Sequence, residues 1–171
     1  MSGVLHTFSS LSLNAADTIA NASINAVSNL KTHKPMVVTV LDANGGVLVQ
    51  KRMDGCPDGA YIKFSYAKAR TCIHLQTSSR VFREKYTGAG EAPKFTQAAS
   101  MVSVMEGELI PVAGGVLIVA EDGSAVGSVG VSGAAADEDE YLAWAGVQAL
   151  KEEGGLSTVP ENHCCKTLKD A

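Results

Sequence analysis

The stretch "AVGSVGVSG", residues 125 to 133, restricts the fold more than any other part of the chain. Read as an extended strand, it sends Val129 and Val131 to one side and Ser128, Gly130 and Ser132 to the other. A face made only of Gly and Ser lets a neighbour come close to the backbone. Gly114-Gly115, in the preceding run, repeats the theme. The neighbour is either an Ala-rich helix over 59–76 or a flat ligand. Other readings of the glycines fit less well. A P-loop requires GxxxxGK[ST], and no Lys follows these glycines. A dinucleotide fingerprint requires GxGxxG opening a helix, whereas GxxGxxG here lies mostly within the strand. A nucleophile elbow requires GxSxG, and Gly130-Val131-Ser132-Gly133 puts its second glycine one place early. The acids that follow, "DEDE" at 137–140, suit a helix first turn, where carboxylates complement the dipole.

The rest of the chain supplies layers for such a strand. Leu13, Ala16, Ala20, Ile24, Val27 and Leu30 recur at helical spacing through 11–31. "MVVTVLD" and "VLVQKRM", joined by "ANGG", read as a β-hairpin. Helical spacing returns at 59–76 through Phe64, Ala67, Thr71 and Leu75, with Asp58 placed to cap it. Residues 80–86 suit a short helix and 87–94 a loop; 95–108 suit helix or strand equally. Two strands follow, over 109–121 and 125–133, with a turn at Asp122-Gly123. A last helix over 137–153 stops at Gly154-Gly155. The expected division is a single domain over 1–155 and a tail over 156–171 that is mobile or used in contacts. The order lacks βαβ alternation, so the sheet should be antiparallel.

Composition narrows the function. Aromatics make up only 5% of the 171 residues, so Val, Leu, Ile and Ala must build the core. A net charge of −4 argues against sequence-independent nucleic-acid binding, which needs a dense basic surface. No run approaches membrane-spanning length. The first residues lack the basic leader and apolar stretch of a signal peptide. Four cysteines without a CxxC spacing read as reduced thiols of a cytoplasmic protein.

Several motifs in order carry a resemblance: "KRMDGCPDG" with "AKARTCIH", "IPVAGGVLIV", "VGSVGVSG" and "DEDEYLAWAGVQAL". Over roughly 11–151 the chain resembles the GlcG/HbpS-like family, which includes the C-terminal domain of PduO-type proteins. The resemblance implies a profilin-like α/β domain, a five-stranded antiparallel sheet with helices on both faces. It also implies that 98–104 contributes a strand, that the protein forms a homo-oligomer, and that haem is a possible ligand. Where the family shows Ser or Thr then Pro before the last helix, this chain has Ala135 and Ala136, a weaker cap.

The candidate ligand site is a cleft near Arg52, Asp54, Lys68, His74 and Ser132. His74, in the last turns of helix 59–76, is the candidate haem-iron ligand, since imidazole commonly holds haem iron. The alternative is a His that favours a helix C-terminus. Lys68, Arg70 and Arg52 suit a carboxylate or haem propionate, or else tie strand end to helix start. Glu106 and Glu108 lie in a loop where an acid could serve as general base. His6 and His33 are expected in solvent. His163-Cys164-Cys165 offers soft ligands without the spacing of a structural zinc site. Two functions fit: a small-ligand or haem-binding protein, and a cofactor-independent enzyme of lyase or isomerase type moving a proton on a small organic molecule.

Overall fold

The structure is a computed structural model that describes residues 8–57, 59–87 and 92–169. In chain order the elements are α1 (Leu13–Asn25), β1 (Val37–Asp42), β2 (Val47–Arg52), α2 (Ala60–Leu75), α3 (Ser79–Thr87), α4 (Ala92–Val104), β3 (Gly115–Val119), β4 (Ala125–Ser132), α5 (Ala136–Gln148), α6 (Lys151–Gly154) and β5 (Ser157–Val159). The five strands form one antiparallel sheet in the order β2-β1-β4-β3-β5. The antiparallel, helix-flanked sheet expected from the sequence is present.

The alternation in β4 sorts the layers. Val129 and Val131 join Val38, Val40, Ile19, Ala20, Leu142 and Val147 in the larger core, where α1 and α5 cover one face. On the other face α2 lies close to the backbone. The Ser128 hydroxyl donates to the carbonyl of Ala69 at 2.9 Å. A Cβ placed on Gly130 would stand 2.1 Å from the carbonyl oxygen of Ser65, so only glycine admits the helix at this distance. The close neighbour of the Gly/Ser face is therefore the helix. Ser132, 4% exposed, ends this face.

Four expectations are corrected. Residues 98–104 are helical, and they belong to α4. The fifth strand comes from 157–159, in the segment expected to be a tail. That segment is fastened further along: the backbone N–H of Lys31 donates to the carbonyl of Thr167, that of Lys169 to the carbonyl of Asn29, and the Trp144 indole to the carbonyl of Glu161. The strand expected over 109–121 is shorter, because the chain pairs only from Gly115. Finally, the α1 stripe keeps Ala16 and Ala20 inward and adds Ile19 and Ser23, but it leaves Leu13 exposed. Asp58 and His6 lie outside the described residues.

Candidate functional site

The acidic run is used up in structure. Asp137 and Glu140 bind Arg80, with Glu140 in a two-pronged contact to Nε at 2.8 and 2.9 Å. Glu138 accepts from the hydroxyls of Thr32 and Thr167 and from the Ala135 N–H. Asp139 accepts from Lys68 Nζ at 2.7 Å and from the Ala134 N–H at 3.0 Å. Reaching back to the Ala134 and Ala135 N–H groups, these two carboxylates supply the return half of a capping box, and their charge complements the helix start, while no hydroxyl caps the first turn. Lys68 and Asp139 are each 3% exposed. Burial pushes the Asp139 carboxyl above its ordinary value, against the pull of Lys68.

The five sequence-nominated residues do not meet in one cleft. Arg52 and Ser132 end β2 and β4, the two strands that flank β1, and both are register partners of Val37. Arg52 donates to the carbonyl of Cys56 at 2.7 Å, and Asp54 is exposed in the turn that follows β2. Lys68 reaches the same end of the sheet, donating to the Val131 carbonyl as well as to Asp139. His74 lies six residues further along α2, about 9 Å along the axis at ~1.5 Å per residue. It faces a different region altogether.

That region is an open groove of about 430 Å³, lined by His74, Leu75, Gln97, Ser100, Met101, Val104, Met105 and Leu109. Its walls come from the end of α2, from α4 and from the loop after α4. They rest on a small separate core of Phe82, Ala98 and Leu109, packed with Leu75, Tyr86, Met101 and Met105. The surface is mostly apolar, and methionines supply flexible, polarisable contact. Val104 is 79% exposed at the rim.

One polar network borders the groove. Glu108 Oε2 accepts from Arg70 Nε at 3.0 Å and lies 3.1 Å from His74 Nε2. Arg70 Nη2 also donates to Oε2, and the Tyr66 hydroxyl donates to Oε1 at 3.4 Å. Arg70 Nη1 donates to the carbonyl of Gly45 in the β1–β2 turn. Gly45 has φ +84°, and a Cβ there would stand 2.2 Å from that same nitrogen. Arg70 holds the Glu108 carboxyl below its ordinary value, against the opposing effect of burial, with His74 adding to the pull. The sequence marks Arg70 and Glu108 as charged residues without giving their partners. Groove residues on α4, Gln97, Ser100, Met101 and Val104, fall at helical spacing, a signal that the competing strand reading obscured.

Elsewhere, His163 is wedged between the rings of Tyr141 and Trp144, at 4.8 and 4.9 Å between centroids. Its neighbour Cys164 is exposed and Cys165 is buried. Among the described residues no three His, Cys, Asp or Glu side chains form a group that would hold a metal ion. No described helix is long and apolar enough to cross a membrane.

Comparison with known proteins gives this geometry its relatives. The profile of a family described as haem degrading protein HbpS-like matches residues 11–148. Among solved structures, HbpS is similar at 28% identity and a TM-score of 0.71, covering 88% of this chain and 96% of its own. A double mutant of Streptomyces reticuli HbpS aligns at the same identity and TM-score, over 93% of its length. Protein ORFY of Klebsiella pneumoniae shares the fold at 20% identity and a TM-score of 0.76, covering 88% of this chain and 97% of its own. A PduOC:heme complex shares it at 22% identity and 0.69, covering 82% and 94%. No curated protein matches.

Proposed function

The chain belongs to the HbpS-like family of haem degrading proteins, and from that premise we propose that it binds a small, flat, largely apolar ligand, with haem the first choice, in the groove beside His74. The observation that carries this is the groove itself: about 430 Å³ of mostly apolar surface with one imidazole among its lining residues. Such sites pair an apolar wall with a few placed polar groups. The residues fit haem in kind. Leu75, Met101, Val104, Met105 and Leu109 would pack the macrocycle, and His74 would hold the iron. A bound haem would supply redox and oxygen chemistry that no side chain here has. Similarity to HbpS and to a PduOC:heme complex supports the choice.

Arg52, Asp54, Lys68 and Ser132 belong, on this reading, to the other end of the sheet, away from the ligand. A second reading, an enzyme moving a proton on a small organic molecule, is favoured by the acid–imidazole contact of Glu108 and His74 at the groove edge. The low position of the Glu108 carboxyl makes it a weak base for such work. We further propose that the protein works in the cytoplasm as a homo-oligomer. Exposed Phe95 and Val104 on α4, at 65% and 79%, favour assembly.

Haem titration tests the main proposal. The wild type should give a shifted Soret band, and His74→Ala should change that spectrum. Val104→Arg, at an exposed rim position, should weaken binding about tenfold, some 1.4 kcal/mol, by bringing a charge against the ligand. An unchanged spectrum in His74→Ala removes His74 as iron ligand. No binding by the wild type overturns haem and favours the proton-transfer enzyme.

A further inference from the structure

We propose that Glu108, clamped by Arg70, is a positioning residue that fixes the tautomer of His74, so that Nδ1 is the imidazole nitrogen left to contact the ligand. This rests on the groove being the binding site, as proposed above. The chemistry is one of donors and acceptors. Glu108 Oε2 receives Arg70 Nε at 3.0 Å and Arg70 Nη2, and stands 3.1 Å from His74 Nε2. An arginine has only donors, so a carboxylate held by it stays ionised and accepts. A carboxylate that only accepts requires a hydrogen on Nε2. In neutral imidazole that leaves the lone pair on Nδ1.

The clamp has its own anchor. Arg70 Nη1 donates to the carbonyl of Gly45 at 2.9 Å, so the guanidinium is held from both sides. The guanidinium also lies 5.8 Å from the centroid of the Tyr66 ring. Gly45, Arg70, Glu108 and His74 thus form one line from the β1–β2 turn to the groove. A carboxylate held against the far ring nitrogen in this way orients a ligating imidazole and raises its basicity, and its loss typically weakens a metal contact by roughly 10–100-fold.

The test uses the ligand-free protein first. Imidazole nitrogen chemical shifts at about pH 8, above the ordinary imidazole range, report which nitrogen bears hydrogen. The wild type should show His74 as the Nε2–H form. Glu108→Gln, nearly isosteric, should give a mixture of both forms, and Glu108→Asp should recover part of the preference. Haem affinity should fall roughly 10–100-fold in Glu108→Gln with an unchanged melting temperature. A wild-type His74 with its hydrogen on Nδ1, or a tautomer indifferent to Glu108→Gln, overturns the proposal. The failures are separable. Nε2–H in the wild type without haem binding refutes the ligand and leaves the positioning intact. Haem binding through His74 with an indifferent tautomer refutes the positioning alone.

Discussion

Lys68 and Asp139 show what a buried charge costs when its partner is removed. Both are sealed from solvent, and Lys68 donates to Asp139 and to the Val131 carbonyl at 2.9 Å. Lys68→Met leaves the Asp139 carboxylate buried opposite a thioether. The expected loss is about 3–5 kcal/mol in chemical denaturation. Replacing both, as Lys68→Met with Asp139→Leu, removes the stranded charge and should lose far less, because apolar substitutes for a buried pair are often neutral. A double variant as unstable as Lys68→Met would mean that the Val131 and Ala134 contacts, and not the ion pair, set the cost. The same pair explains why "KAR" read ambiguously in sequence. Its lysine closes the interior, while its arginine, two residues on, reaches the groove network.

At the scale of elements, the edge of the sheet holds the surprise. The C-terminal segment has no periodicity because its strand is only three residues long and its remaining ties are scattered single contacts, such as Thr167 to Glu138 and His163 against Tyr141 and Trp144. Neither leaves a pattern that a sequence can show. The β1–β2 hairpin, α2 and the β3–β4 pair were legible because alternation and helical spacing persist in them over many residues. The α4 segment was not, since "FTQAASMVSVM" has β-branched and apolar residues enough for a strand, and only the α3 partner settles it as helix. The groove shared that fate, being built on α4. A chain ending at residue 155 should therefore expose the β3 edge, lose the Thr167 bond to Glu138, and aggregate. Its melting temperature should fall by several degrees, as a loss of about 1–2 kcal/mol implies for a domain of this size. A truncated chain that stays monodisperse and melts with the full one would show that β5 is dispensable.

For the whole molecule, assembly is the open dimension. Phe64, Val47, Phe95 and Val104 all stand substantially exposed, distributed over α2, β2 and α4. Sedimentation at micromolar concentration should give a species larger than one chain; a clean monomer would remove the oligomer. Internally, the four acids at the start of α5 hold separate parts of the molecule. Asp139 secures α2, Asp137 and Glu140 secure α3, and Glu138 secures both Thr32 ahead of β1 and Thr167 in the C-terminal segment. Each contact depends on where its residue falls around the helix. Deleting a single residue inside 137–140 would rotate the acids on one side of the cut by about 100° relative to the rest. Those carboxylates would be dealt to the wrong neighbours together. This short run is therefore bound to its reading frame: one residue can be exchanged at a local cost, but its length cannot change without unfastening the layers from one another.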